Sequence, residues 1–189
     1  VRHYHGADES YRGRDRGIKA YLSNGMGTTI VAATVIGNTL YAANVGDSRL
    51  YVINQEDITQ ITRDHSLVEE MVRLGEVRKE DAKDHPDKNI ITRAVGVVPE
   101  LSVDFFEVEL KPGDTVLMCS DGLTNMIEDE EIKKIVLGQR DIVEKAEKLK
   151  QMAVDAGMQA DNLMIAPIGP IIGTHVGSGM LAIAFVTNM

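Results

Sequence analysis

Apolar and polar positions change rhythm several times along the chain, and each change marks an element. Residues 1–24 show no apolar periodicity and are rich in Arg, Tyr, Asp and Gly. They read as a poorly structured segment, with at most a short helix near Ile18 to Leu22. From Thr28 the pattern becomes β-branched. Thr29 to Ile36 is a dense run, Gly37-Asn38 a turn, and Thr39 to Val45, Arg49 to Ile53 and Ile58 to Thr62 are further runs. Short strands broken by Gly, Asn and Asp predict an antiparallel meander.

Helical spacing follows at Ser66 to Leu74, with Asp64 or Ser66 as N-cap and Gly75 as the stop, and again at Lys79 to Lys83. Ser102 to Leu110 alternates like a half-buried strand, Lys111-Pro112-Gly113-Asp114 is a turn, and Thr115 to Cys119 is a buried strand. Glu128 to Leu137 carries the apolar stripe Ile132, Ile135 and Val136. Asp141 to Ala156 carries Val143, Ala146, Leu149, Met152 and Ala153, and Gly157 caps its end. A final apolar run covers Met180 to Val186. Strands, helices, strands, helices and a last strand predict an α+β fold with sheet and helices in layers.

The 189 residues suffice for one domain whose folding buries roughly 70% of the unfolded surface. Aromatic residues make up 4% and Trp is absent, so the core must be built from Ile, Val, Leu, Met and Ala. A net charge of −9 disfavours nucleic acid and anionic membrane. The single cysteine, Cys119, rules out an intrachain disulfide and reads as a small buried residue. No apolar run reaches the ~20 residues of a membrane helix, and the polar, basic start lacks a signal-peptide core, so a cytoplasmic location is expected. Val1 in place of Met is read as the mark of a fragment or a trimmed product.

Three carboxylates sit beside apolar strands, where several could converge on a cation at the rim of a sheet. Asp47, in Val45-Gly46-Asp47-Ser48-Arg49, taken alone reads as a hairpin residue. Asp121, in Cys119-Ser120-Asp121-Gly122, is equally an N-cap for a short helix at Leu123 to Met126. Asp161, in Ala160-Asp161-Asn162-Leu163, taken alone reads as a turn. Other chemistry is poorly served. His3 and His5 lie in the polar tail, and His65, His85 and His175 are scattered without a zinc-binding pair. There is no Gly-x-Ser-x-Gly elbow. Gly25-Met26-Gly27-Thr28-Thr29 lacks the Lys of a phosphate-binding loop and leads into a strand.

Taken in order, Gly25-Met26-Gly27-Thr28-Thr29, Ala43-Asn44-Val45-Gly46-Asp47-Ser48-Arg49, Thr62-Arg63-Asp64-His65-Ser66, Asn89 to Gly96 and Met118-Cys119-Ser120-Asp121-Gly122-Leu123 resemble the bacterial branch of the metal-dependent protein phosphatase 2C (PPM) type. The resemblance runs from about Gly25 to Asn162. It implies an antiparallel β-sandwich flanked by helices, with residues 1–24 as a non-family segment, 25–166 as a phosphatase 2C-like domain and 167–189 as an atypical closing segment with the final strand. It also implies Mn²⁺ or Mg²⁺, with a metal-activated water attacking a phosphoserine or phosphothreonine ester. By motif match Asp121 is a core metal ligand, Asp47 holds a weaker metal, and Asp161 matches the late Asp-Asn ligand, although the family's preceding Gly-Gly is here Gln159-Ala160. Asp64, His65, Arg93 and Gly96 match structural positions. The implied partners are phosphoserine and phosphothreonine proteins and a cognate serine/threonine kinase, with the chain itself a monomer.

The family's opening Arg-x-x-Asn-Glu-Asp and Asp-Gly-Met-Gly-Gly segments do not occur in this sequence. The fold is therefore expected to be incomplete, with an exposed sheet edge, no catalytic residue can be assigned, and activity is expected to be impaired. A catalytically inactive, phosphatase-like binding module is the alternative. A third reading comes from Ile168 to Gly179, whose Gly173-Thr174-His175-Val176-Gly177 resembles the closing run of DegV-type fatty-acid-binding proteins and would make His175 a lipid carboxylate contact.

Overall fold

A computed structural model describes residues 2–5, 27–138, 141–158, 163–164 and 180–185. Two sheets face each other. The first has the order β1 (Arg2–His5), β6 (Asp104–Glu109), β3 (Thr39–Val45), β2 (Ile30–Ile36). The second runs β5 (Ile58–Gln60), β4 (Arg49–Ile53), β7 (Thr115–Cys119), β9 (Met180–Phe185), β8 (Leu163–Met164). The α+β sandwich is as expected, and all pairings are antiparallel except β7 with β9, which run parallel.

Strand periodicity explains the layering. Alternate residues of a strand face opposite sides of its sheet. Leu40, Ala42 and Phe106 of the first sheet meet Leu50, Val52 and Val116 of the second, forming the core between the sheets. The intervening residues Tyr51, Ile53, Leu117 and Cys119 face the other way and pack on α2 (Asp121–Thr124), α3 (Asp129–Gly138) and α4 (Ile142–Asp155) through Leu123, Ile132, Val136 and Leu149. The second sheet is covered on both faces, which is why β4 and β7 read as continuous apolar runs. The outer face of the first sheet is open, leaving Ile36, Tyr41 and Phe105 exposed.

Local chemistry sets the helix ends. Ser66, rather than Asp64, caps α1 (Leu67–Leu74), its side chain accepting from the Glu69 N–H, and Gly75 closes the helix. Asp141 caps α4 by accepting from the Val143 and Glu144 N–H groups. Lys79–Asp84 forms a 3₁₀ helix.

Within the segment read as poorly structured, Arg2–His5 pair with β6 in the register Arg2↔Glu107 to His5↔Asp104. A sheet edge recruits a short strand through backbone hydrogen bonds, which need no apolar periodicity. Two further expectations need correction. The expected meander breaks between β3 and β4, which belong to different sheets, so Asp47 is not a hairpin residue. Val143 is 56% exposed, because the core of α4 starts one turn later, at Ala146. The helix expected near Ile18 to Leu22, Asp161, and the run holding His175 lie outside the described residues.

Leu149 is fully buried among the residues of the second sheet, α3 and α4. Leu149→Ala is expected to cost about 2–5 kcal/mol in urea unfolding. Val143→Ala, on the exposed side of the same helix, is expected to stay within about 0.5 kcal/mol.

Candidate functional site

The connection from β3 to β4, Gly46-Asp47-Ser48, is where the chain leaves the first sheet and enters the second. The crossing forces a close backbone approach. Gly46 has φ +110°, and a Cβ there would stand 2.3 Å from Thr29 Cγ2, so no other residue type fits without displacement. A hydroxyl contact at 2.9 Å between Thr29 Oγ1 and Ser48 Oγ ties the far side of the turn to the strand beginning at Ile30.

The same crossing places Asp47 at the rim of the second sheet. β4 pairs antiparallel with β7, and Arg49 is opposite Cys119. Two places beyond that pair lie Asp47 on one chain segment and Asp121 on the other. Antiparallel register thus directs the two carboxylates to one end of one strand pair. Asp121 is the first residue of α2 rather than its N-cap; Ser120 takes the cap position. The Asp121 carboxylate is therefore not spent on capping, and it accepts from Asn125 Nδ2 at 3.2 Å. The Ser120 hydroxyl is buried beside it without a hydrogen-bond partner among the described residues.

Electrostatics records the proximity. Asp47 is only 9% exposed. Burial, and next the negative charge of Asp121, push its carboxyl up to about 6 from an ordinary 3.8, against the opposing effects of its backbone hydrogen bond and of Arg49. A buried carboxylate raised by a second one beside it forms a natural place for a divalent cation, because oxygen donors of this hardness suit Mg²⁺ and Mn²⁺. Asp47 and Asp121 supply part of a ligand set; no group of three or more acidic, His or Cys side chains suited to a metal occurs among the described residues.

A second layer of interactions holds this end of the sandwich. Arg49 makes a bidentate pair with Asp64, Nε to Oδ1 at 3.0 Å and Nη2 to Oδ2 at 2.7 Å. The Gly46 N–H donates to His65 Nδ1 at 3.0 Å, and the His65 N–H returns a bond to the Gly46 carbonyl at 2.9 Å. His65 Nε2 lies 3.1 Å from Asp104 Oδ2, and Arg93 Nη1 donates to Asp104 Oδ1 at 2.9 Å. Burial lowers the pKa of His65 despite Asp104, so the ring is held neutral. Burial alone would raise Asp104, but the bonds from His65 and Arg93 outweigh it and bring its carboxyl down to about 2. Cys119 is inert structure, its thiol pushed up to about 12 by burial.

Sequence reasoning singled out Asp47 and Asp121, and the structure brings them together. Asp64, His65 and Arg93 were matched only as structural positions, and Asp104 was not singled out. Its one local signal is an acidic residue at the first place of a strand whose inward-facing partner is Phe106.

Comparison with known proteins gives this geometry its context. The family model for protein phosphatase 2C matches residues 5–162, a span that opens ahead of Gly25. The serine/threonine phosphatase stp of Listeria innocua is 46% identical over 142 residues, 75% of this chain and 56% of that protein. The crystal structure of the serine/threonine phosphatase Stp1 from Staphylococcus aureus superposes with a TM-score of 0.69 at 44% identity, covering 70% of this chain and 52% of that one. The catalytic domain of the phosphatase PstP, solved in complex with two manganese ions, gives a TM-score of 0.60 at 34% identity, over 70% of this chain and 54% of that one. The chain spans little more than half the length of these relatives. The family match ends ahead of Ile168, and the DegV-type resemblance of the tail finds no support among them. No helix among the described residues is long and apolar enough to cross a membrane. Fold, ordered motifs and relatives agree that this chain belongs to the protein phosphatase 2C family.

Proposed function

We propose that the chain carries part of the site of a protein serine/threonine phosphatase that hydrolyses phosphoserine and phosphothreonine esters with Mn²⁺ or Mg²⁺. The observation that carries this reading is the buried Asp47 carboxyl, raised by burial and by the neighbouring charge of Asp121, at one rim of the sandwich. These two residues are the proposed metal ligands in the described structure, and Asp161 is proposed as a third on sequence alone. When bound, the metal supplies Lewis acidity toward the phosphate and lowers the pKa of water. The protein's own part is to place and aim Asp47 and Asp121. Asn125 orients the Asp121 carboxylate, and Gly46 fixes the approach of Asp47.

The substrates are phosphoproteins, with a cognate serine/threonine kinase as partner, and the chain works in the cytoplasm as a monomer. The family's Arg-x-x-Asn-Glu-Asp and Asp-Gly-Met-Gly-Gly runs are not in this sequence, so turnover by these 189 residues is weak. The same missing runs also favour a second reading, a phosphatase-like module that binds without turning over.

Hydrolysis of p-nitrophenyl phosphate with Mn²⁺, with and without EDTA, decides between the two readings. The phosphatase reading expects slow turnover that EDTA abolishes and that Asp121→Ala reduces to background. Turnover indifferent to EDTA, or undiminished in Asp121→Ala, contradicts it. No turnover from folded protein makes the chain a binding module.

A second test needs no turnover. Folded Asp47 keeps its proton up to about pH 6, whereas the unfolded chain releases it near 3.8. The folded state therefore binds the extra proton in that window, and stability falls as pH rises through it, by about 3 kcal/mol in all. In EDTA at pH 7.5 Asp47→Asn is expected to melt above the unsubstituted protein, with the gap closing toward pH 4. Added Mn²⁺ should raise the unsubstituted protein more than the variant.

A further inference from the structure

The Gly46 backbone is gripped from both sides by one residue. Its N–H donates to the His65 ring at Nδ1, 3.0 Å away, and its carbonyl accepts from the His65 backbone N–H at 2.9 Å. Asn44 Nδ2 adds a bond to the same carbonyl at 3.2 Å and one to the Arg63 carbonyl at 2.9 Å. The Gly46 carbonyl belongs to the peptide that leads directly into Asp47. Rotation of that peptide plane would swing the Asp47 side chain; the two bonds to the carbonyl fix it, and the ring bond fixes the preceding Val45–Gly46 peptide, so the backbone is held on both sides of Gly46.

Only one form of the ring can do this. Nδ1 accepts from a backbone N–H, so it carries no proton, and the proton sits on Nε2, directed at Asp104 Oδ2 3.1 Å away. Asp104 is in turn held by Arg93 Nη1 at 2.9 Å. Both His65 and Asp104 are almost wholly buried, at 2% and 1% exposed, so no water competes for these bonds. The assembly joins the first strand sheet, through Asp104 on β6, to the turn that crosses into the second.

We propose that His65 is a positioning residue for the metal site: with its ring held in the Nε2-protonated form by Asp104 and Arg93, it fixes the peptides on both sides of Gly46, through Nδ1 and through its backbone N–H, and so aims Asp47 at the cation. The inference rests on the reading of Asp47 as a metal ligand. The arrangement parallels the outer partners that orient metal-binding groups elsewhere, with the difference that the histidine acts on the ligand's backbone and not on its carboxylate.

Two substitutions separate positioning from bulk support. His65→Asn places an amide oxygen near the position of Nδ1 and can still accept from Gly46, while losing Asp104. His65→Gln reaches the position of Nε2 and can still donate to Asp104, while losing Gly46. Each forfeits one buried hydrogen bond, so a residue that only supports the fold should suffer alike from both. Mn²⁺ uptake by the 189-residue protein is read from the electron paramagnetic resonance of free Mn²⁺. The dissociation constant is expected to rise about tenfold or more in His65→Gln and less than about threefold in His65→Asn. Equal losses, or the reverse order, overturn the inference and leave the metal reading standing. No Mn²⁺ uptake by the unsubstituted protein overturns the metal reading and this inference with it. Nitrogen-15 spectroscopy of the unsubstituted protein gives an answer even if a variant fails to fold. A neutral ring protonated at Nε2 at pH 7 is expected, and a ring protonated at Nδ1 or at both nitrogens overturns the proposal.

Discussion

The passage of the chain from one sheet to the other at Gly46 is the constraint on which the rest of the site depends. A strand cannot switch sheets without a sharp turn, and here the turn runs hard against Thr29, where only glycine fits. The switch does two things at once. It lets β3 and β4 contribute to the two opposing walls of one core, Leu40 and Ala42 on one side and Leu50 and Val52 on the other. It also leaves Asp47 at the rim, two places beyond the last pair of β4 with β7, on a level with Asp121. Packing and chemistry are thus consequences of the same backbone event.

The carboxylates are brought together against their own repulsion. Asp47 is buried, faces Asp121, and holds its proton far above the ordinary range. The fold tolerates this because the surrounding bonds are made by groups fixed elsewhere. Arg49 is committed to Asp64, and the Gly46 peptide to His65 and Asn44. A charge pair that costs stability when empty and is relieved by a cation stores part of the binding energy in the folded chain, as functional sites commonly do.

Much of this was legible in the residue pattern. Thr39–Val45, Arg49–Ile53 and Thr115–Cys119 were readable to the residue because β-branched runs bounded by Gly, Asn and Asp leave little choice of element. Asp47 and Asp121 stood out because each follows an apolar strand. What the pattern could not show was pairing. A turn between two strands looks the same whether the strands pair or part, so the switch at Gly46 was read as a hairpin. The parallel pairing of β7 with β9 and the recruitment of Arg2–His5 by β6 likewise depend on partners distant in sequence. The link from His65 to Asp104 spans 39 residues and has no local signature. Ser120, and not Asp121, took the cap position, the helix starting at Asp121, two residues earlier than expected.

The account's central claim is that register forces Asp47 and Asp121 to repel in the metal-free protein. A double-mutant cycle of Asp47→Asn and Asp121→Asn, read by urea unfolding in EDTA at pH 7.5, tests it most directly. The account predicts that neutralising either partner relieves the same repulsion, so the double variant falls short of the summed single effects by about 1 kcal/mol or more. Additive single effects would mean that the two carboxylates do not sense each other, and would contradict it.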